Sequence, residues 1–208
     1  MFTDASLRRV QGQLLVPPSA RTIRWGSFPV IAGLAMLVVW SGQRKDGNPA
    51  AVALPVATAL LCVWLCFLFD DPAAETTAGG PTPLLFRRAI RVAIAVPVVA
   101  TVWFACTWIG PLEGPSAAMV GSFLAEAMVA LAAAALVVRF VGAGSGLLAA
   151  GVVVIVTLIL PVAFGRPPSV DPARPPWGEP ASYWTVVAVL AVVVLVVAHL
   201  QGVRTRAR

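Results

Sequence analysis

Six long apolar blocks, separated by polar, glycine-rich or proline-rich connections, dominate the chain. Each block has 17 or more residues, close to the roughly 20 that a helix needs to cross a bilayer. Lipid offers no partners to backbone N–H and C=O groups, and the blocks lack the period-two alternation of barrel strands. The pattern therefore predicts an all-α fold, a bundle of six transmembrane helices over residues 25–202. The first block lies between Arg24 and Arg44, and the others are Ala50–Phe69, Val92–Gly110, Ser116–Val138, Gly146–Phe164 and Ser182–Leu200.

The composition favours lipid rather than water as the surrounding solvent. Hydrophobic residues fill 59% of the 208 positions, and only 12% are Asp, Glu, Lys or Arg, about half of the charged share of soluble domains. A soluble helical core is the alternative, but six charge-poor runs present too much apolar surface for one core to hide. The first block follows 24 residues that include four arginines. No small-residue cleavage site comes after it, so we expect a retained helix rather than a signal peptide.

The N-terminal segment 1–24 has the pattern of a helix that lies on a membrane surface. Leu7, Val10 and Leu14 share one helical face within residues 3–15, and the arginines and glutamines lie elsewhere. A pair of prolines follows this stretch and prevents its continuation. The sequence thus predicts an amphipathic interfacial helix, with a disordered basic tail as the alternative.

The distribution of cations along the chain predicts its orientation. With six spans, eleven Lys and Arg residues lie on the side of the two termini, including those of the basic tail 203–208, and four lie on the other side. Cytoplasmic connections carry the excess of cations, so we expect both termini in the cytoplasm, below a plasma membrane or bacterial inner membrane. Anionic lipid facing these cations accounts for the basic charge without a nucleic-acid partner.

The cytoplasmic connection at residues 70–90 carries the signals of a short isolated helix. Asp71 is a good N-cap, the proline after it fits the first helical position, Gly79 is a good C-cap and Pro81 prevents continuation. A second cap-and-proline pair then starts a helix that runs into the third block. A two-turn helix is too short to be stable alone, so lipid headgroups or a partner protein should pack against it. The alternative is an ordinary polar connection with good capping residues. The charged residues around it are Asp70, Asp71, Glu75, Arg87 and Arg88.

Glu126 is the only acid inside a predicted span. A carboxyl group at that depth is costly, and such groups usually face the interior of a bundle or a water-filled cavity. One interpretation is a polar side chain that lines a translocation path. The other is a protonated or hydrogen-bonded glutamate that ties two helices together, and the sequence leaves both open.

Small residues recur at steps of four around the start of the fifth block, at Gly142, Gly146 and Ala150. Small residues at this spacing let helices approach closely. They predict tight packing within the bundle or across a dimer.

The chain has no recognisable catalytic site, cofactor site or metal site. Its single histidine, His199, stands in an Ala-His-Leu-Gln-Gly string that is similar to one helix of the rhomboid intramembrane proteases. The nearest serine motif, Ala-Gly-Ser-Gly at Ser145, lies in the wrong span for that chemistry, so a rhomboid-like protease remains a remote alternative. No glycine-rich phosphate-binding loop is present, and this chain is not expected to hydrolyse ATP.

The connection 165–181 faces outward in this topology and contains six prolines. That density favours extended backbone and excludes a long helix. It is either a substrate-facing cap or a structural loop.

The whole layout resembles the permease subunits of ABC-2 type transporters, in particular the short members from high-GC bacteria. The surface helix, the six spans, the capped cytoplasmic helix and the outward excursion together cover nearly the whole chain. The local resemblance is carried by Asp70-Asp71-Pro72-Ala73-Ala74-Glu75-Thr76, Pro81-Thr82-Pro83-Leu84 and Arg87-Arg88.

This resemblance implies an ABC-type exporter in which the capped helix is the coupling helix that docks on a separate cytosolic ATPase. ATP and Mg²⁺ would then be bound by that partner, and a second permease half, identical or not, would complete the path. Glu126 would line the path, and Asp70, Asp71, Glu75, Arg87 and Arg88 would contact the ATPase directly or by placing the helix. The alternative class is a non-transporting membrane scaffold or regulator subunit of a signalling complex.

Overall fold

The computed structural model describes residues 23, 25–42, 50–70, 84–109, 117–142, 144–159 and 188–195, nearly all of them helical. A 3₁₀ turn at Trp25–Ser27 precedes the first helix, and another at Phe67–Phe69 extends the second. A π-helical turn at Ile155–Ile159 continues the fifth helix. The helices are α1 (Phe28–Gly42), α2 (Ala50–Cys66), α3 (Leu84–Ile109), α4 (Ala117–Val141), α5 (Gly146–Val154) and α6 (188–195).

Four of these helices are long and apolar enough to cross a membrane, and a shorter apolar helix follows at Gly146–Ile159. The prediction of an all-α chain with several helices able to span a membrane is thereby confirmed for the part of the chain that the structure describes. The four candidate spans are Trp25–Gly42, Val52–Phe69, Phe86–Ile109 and Met119–Val141.

Several predicted features lie outside the described residues. They include the interfacial helix within residues 3–15, the capped helix after Asp70, the outward connection 165–181, His199 and the basic tail 203–208. The fifth and sixth blocks are described only over 146–159 and 188–195, so the count of six spans stays a prediction.

Helix α2 lies at the centre of the bundle and contacts α1, α3, α4 and α5. In its span, 67% of the residues are buried, against 22% in the span that contains α1. Lipid is as apolar as the side chains, so close packing rather than escape from water holds such helices together. Helix α4 provides small residues for this contact, and the Cys66 thiol of α2 lies 3.8 Å from the carbonyl oxygen of Ala130.

Two of the spanning helices continue through an internal proline, Pro55 in α2 and Pro97 in α3. Proline lacks the N–H that would bond to the carbonyl four residues earlier. Threonines follow both prolines and bond back to the helix. The Thr58 hydroxyl donates to the carbonyl of Leu54, and the Thr101 hydroxyl donates to that of Pro97, each at 2.9 Å.

The end of α2 and the start of α5 meet at one end of the bundle. The Arg88 guanidinium of α3 lies there as well, 5.5 Å from the centre of the Phe69 ring, a distance at which a cation is attracted to an aromatic face. Arg139 stands in the last turn of α4, just before the chain turns into α5. Four described elements thus contribute to this end.

Candidate functional site

Few polar side chains are buried in the described part of the bundle, and only two of them are carboxyl groups. Asp70 is 5% exposed and Glu126 is also 5% exposed. They lie at different depths, Asp70 at the end of a spanning helix and Glu126 well inside α4. The other buried polar residues are Thr58, Arg91, Thr107, Ser122, Ser145 and Thr157.

The Asp70 carboxylate accepts hydrogen bonds from the backbone at the start of α5. Its Oδ1 atom accepts from the Gly144 N–H at 3.2 Å and from the Gly146 N–H at 3.1 Å, and its Oδ2 atom lies 3.2 Å from the same Gly146 nitrogen. The Asp70 N–H donates to the carbonyl of Phe67 at 3.2 Å, which closes the 3₁₀ turn. We call Asp70, Gly144 and Gly146 the Asp70 clasp.

The start of α5 suits a carboxylate for two physical reasons. The first N–H groups of a helix have no partner within it, and the helix dipole places partial positive charge there. Ser145 occupies the N-cap position, but its side chain makes no capping bond. Its hydroxyl instead donates to the carbonyl of Gly142 at 2.7 Å. A carboxylate from another helix therefore performs the capping that a local side chain usually provides.

Glycine is required at two kinds of position in the turn between α4 and α5. Gly142 and Gly144 have φ of +101° and +90°, a conformation that glycine adopts without steric cost. Gly146 is required for space, because a Cβ atom there would lie 2.6 Å from Oδ2 of Asp70 and 2.8 Å from Cδ1 of Phe67.

The three residues predicted to allow close helix packing occupy different environments in the structure. Gly146 belongs to the Asp70 clasp and contacts the Asp70 carboxylate, and Ala150 is buried one turn later in α5. Gly142 lies outside α5 and ends α4, with its N–H bonded to the carbonyl of Val138 at 3.1 Å. A Cβ atom at Gly142 would meet nothing within 4 Å, so its left-handed backbone, the usual ending of a helix, is what demands glycine there.

The residues predicted to contact an ATPase occupy different environments. Asp70 is buried and bonded to α5, so its described contacts are with the bundle itself. Arg87 and Arg88 are half-buried in the first turns of α3. Asp71 and Glu75 lie outside the described residues. The structure thus brings Asp70 together with Gly146, and it places Arg88 over the ring of Phe69, the residue before Asp70.

The Glu126 carboxyl group lies against a small cavity between α2, α3 and α4. Its Oε2 atom is buried and has no hydrogen-bond partner among the residues that the structure describes. The cavity has a volume of about 10 Å³, close to the smallest that holds one water molecule. It is lined by Leu54, Pro55, Thr58, Trp103, Met119, Ser122 and Glu126.

Three polar side chains surround this cavity besides Glu126. The Thr58 hydroxyl accepts a hydrogen bond from Nε1 of Trp103 at 3.0 Å and donates to the carbonyl of Leu54. The Ser122 hydroxyl donates to the carbonyl of Met119 at 2.7 Å. The Trp103 ring stacks on Phe123 with ring centres 4.8 Å apart, which fixes the indole in place.

Sequence reasoning found Glu126 but not its neighbours. Ser122 stands four residues before Glu126, a spacing that places both on one face of a helix, so this neighbour was accessible from the sequence. Thr58 and Trp103 lie on α2 and α3, and no local pattern links them to α4.

Within the described ranges, no group of three or more His, Cys, Asp or Glu side chains is placed to hold a metal ion. The three cysteines, Cys62, Cys66 and Cys106, are buried and free of disulfide bonds. Cys66 donates to backbone carbonyls of α2 and α4, which is the behaviour of a packing residue.

Comparison of the chain with protein-family models, with curated proteins and with solved structures found no match.

Proposed function

We propose that this chain is the membrane-spanning permease subunit of an ABC-type exporter, which forms a translocation path with a second permease half and is driven by a separate cytosolic ATPase. The resemblance of the layout to ABC-2 permeases motivates the proposal. The observation that carries it is the Asp70 clasp, which lies where α2 ends and the connection to α3 begins.

The connection 71–83 would receive the ATPase, and the described residues at both of its ends are tied into the bundle. On one side, Asp70 is bonded to the start of α5. On the other, Arg88 lies over Phe69 of the α2 extension. A displacement of the connection would therefore act on α2, α3 and α5 together, because packed side chains and hydrogen bonds carry coupling between elements.

The proposal includes six spans with both termini in the cytoplasm. The apolar helix at Gly146–Ile159 and the helix at 188–195 support spans five and six, because both fall within the fifth and sixth apolar blocks. The end of the bundle with the Asp70 clasp would then face the cytoplasm, together with Arg88 and Arg139, as the excess of cations on that side requires.

Reporter fusions test this topology. With six spans and both termini inside, a reporter that is active only in the cytoplasm should be active when fused after Arg208, and a reporter that needs export should be silent there. The reciprocal pattern is expected for fusions within the outward connection, after Ser169. An export-dependent signal at Arg208 would contradict the six-span model.

Disturbing the connection after α2 tests the coupling to an ATPase. Ala74→Pro removes a backbone donor from the predicted short helix, a change that costs about 3 kcal/mol in a helix interior, and Glu75→Arg reverses the charge offered to the partner. In the affinity-tagged full-length chain, purified from its own host in mild detergent, both variants should lose most of a co-purifying ATPase and its stimulation while the bundle stays folded.

The matched control lies on the opposite side of the membrane. Ala173→Pro and Glu179→Arg make the same changes in the outward connection and should keep the ATPase. Retention of the ATPase by both cytoplasmic variants would show that this connection is not the coupling element. If the unmodified chain brings down no ATPase at all, the exporter proposal fails and the scaffold or regulator class replaces it.

A further inference from the structure

We propose that Glu126, Thr58 and Ser122 form an intramembrane site that binds one proton together with one water molecule. The proton would reside on the Glu126 carboxyl group, and the water would fill the cavity of about 10 Å³ beside it. This inference rests on the cavity and its hydrogen bonds and is independent of whether the chain works with an ATPase.

The first argument is that no counter-charge lies near Glu126 among the residues that the structure describes. None of the other cavity-lining residues is ionisable. The described residues of α5 and its π-helical turn include no charged side chain. Cys62 of α2 is a buried thiol, and a thiol provides no positive charge.

The described cations and the other acid lie far from the cavity. Arg139 stands about 20 Å along α4 from Glu126, and Arg91 about 18 Å along α3 from Trp103, at 1.5 Å per residue. Asp70 lies in the clasp, about 18 Å along α2 from Thr58 by the same rise. A buried carboxylate with no cation beside it is strongly disfavoured, and uptake of a proton removes the charge.

The second argument is that the hydroxyl hydrogens of Thr58 and Ser122 already donate hydrogen bonds to backbone carbonyl groups. The Thr58 hydroxyl donates to Leu54, and the Ser122 hydroxyl donates to Met119. A carbonyl oxygen can only accept, so the direction of both bonds is fixed. What Thr58 and Ser122 can still offer to the cavity is their oxygen lone pairs.

An occupant of this cavity must therefore donate hydrogen bonds rather than accept them. An ionised Glu126 would add further acceptor sites to a cavity that already presents hydroxyl lone pairs. A protonated Glu126 has one O–H to donate, and a bridging water has two more. The Oε2 atom, which has no partner among the described residues, is the atom at which that hydrogen bond is missing.

The third argument is that the site is held in shape before it is filled. The Trp103 indole donates to the Thr58 hydroxyl and stacks on Phe123 of α4. Side chains of α2, α3 and α4 are thus locked around the cavity, so little reorganisation is needed when a proton and a water enter.

Carbodiimide labelling and infrared spectroscopy test the proposal on the full-length chain in lipid nanodiscs. A hydrophobic carbodiimide modifies protonated carboxyl groups in apolar surroundings. Mass spectrometry of the wild type near neutral pH should find the adduct on Glu126 and none on Asp70, the equally buried carboxylate whose partners are N–H groups. Labelling of Glu126 should fall as the pH is raised. No adduct on Glu126 at any pH would overturn the site.

Infrared spectroscopy detects the proton on the Glu126 carboxyl group directly. The wild type should show the C=O stretching band of a protonated carboxyl group near neutral pH, and Glu126→Gln should lose it. Combined Thr58→Val and Ser122→Ala should shift the band to the higher frequency of a less hydrogen-bonded group. If the wild type lacks the band, Glu126 carries no proton and the proposal fails. If the band of the double variant does not shift, the two hydroxyl groups are not part of the site.

A metal cation is the competing occupant, and the same labelling distinguishes it. At constant pH, replacing choline by sodium should leave the carbodiimide adduct on Glu126 unchanged if the site holds a proton. Protection by sodium would overturn the proton assignment in favour of a cation site. The labelling uses the unmodified chain, so the result does not depend on whether any variant folds.

Discussion

Asp70→Leu should lower the free energy of unfolding by about 3 kcal/mol, the largest single-residue effect we expect in the described part of the chain. The substitution removes the acceptor for two backbone N–H groups at the start of α5. Hydrogen bonds to a charged group contribute about 1.5–3 kcal/mol, and a carboxylate at a helix N-terminus contributes roughly another 0.3–1 kcal/mol. Water can reach Gly144, which is exposed, but not Gly146, which is buried.

Asp70→Asn separates the charge from the hydrogen bonds. The amide keeps the shape of the side chain and one acceptor oxygen, so we expect a loss of about 1 kcal/mol, the share of the charge and of one weakened bond. Thr157→Val is the control for a lost buried hydroxyl, because Thr157 bonds only within its own helix, to the carbonyl of Val153 at 2.8 Å. Thr157→Val should lower the free energy of unfolding by less than either Asp70 variant does.

The three native cysteines provide the measurement. Cys62, Cys66 and Cys106 are each 0% exposed and are the only cysteines in the chain. A thiol-reactive dye therefore reports thermal unfolding of the detergent-solubilised protein without added probes. Equal unfolding temperatures for the wild type, Asp70→Asn and Asp70→Leu would show that the clasp contributes nothing to stability.

Gly146→Ala should be the second most damaging change, although it adds a single methyl group. The new Cβ atom would lie 2.6 Å from Oδ2 of Asp70 and 2.8 Å from Cδ1 of Phe67. Both neighbours must move, and an overpacked site typically costs about 1–3 kcal/mol. Because the carboxylate is one of the two, its retreat also weakens the bonds to α5.

Gly151→Ala is the matched control in the same helix. A Cβ atom at Gly151 would meet nothing within 4 Å, and alanine is favoured over glycine inside a helix by roughly 0.5–1 kcal/mol. The control should therefore be neutral or slightly stabilising in the same dye assay. If both alanine variants unfold at the same temperature, the close approach of α5 to Asp70 is not a constraint on the fold.

The losses of stability from Asp70→Asn and Gly146→Ala should not add when the two changes are combined. Asp70→Asn and Gly146→Ala act on one contact, and residues in contact show interaction energies of about 0.5–3 kcal/mol in such cycles. Gly146→Ala should accordingly cost less in the Asp70→Asn background than alone.

Helix positions were predictable because length and apolar composition suffice to mark a span. The second block, Ala50–Phe69, coincides with α2 and its 3₁₀ extension, and the fourth block, Ser116–Val138, overlaps almost all of α4. The third helix begins at Leu84, ahead of its block, as the cap-and-proline pair before it predicted. These signals are local, and a span needs no distant partner to form its backbone hydrogen bonds.

The two carboxyl sites were predictable only in part, because each depends on helices that are distant in sequence. The sequence showed Glu126 inside a span, but nothing in it says that Thr58 and Trp103 complete the cavity. The sequence predicted that Asp70 is one of several acids in a cytoplasmic loop. In the structure its carboxylate accepts a hydrogen bond from Gly146, which is 76 residues away. Gly142 is different, because glycine after the last turn of a helix is itself a local signal for the left-handed ending that the structure has.

The length of chain between Asp70 and Gly146 also sets an order of events during synthesis. A ribosome adding about 5–20 residues per second needs roughly 4–15 s to extend the chain by the 76 positions from Asp70 to Gly146. During that interval α2 has already been made, and its carboxylate has neither of its two N–H donors. In a nascent chain that stops before Gly144, the Asp70 carboxylate has neither of these two donors. Synthesis of the start of α5 thus marks the point from which the Asp70 carboxylate can bond to both of its N–H donors.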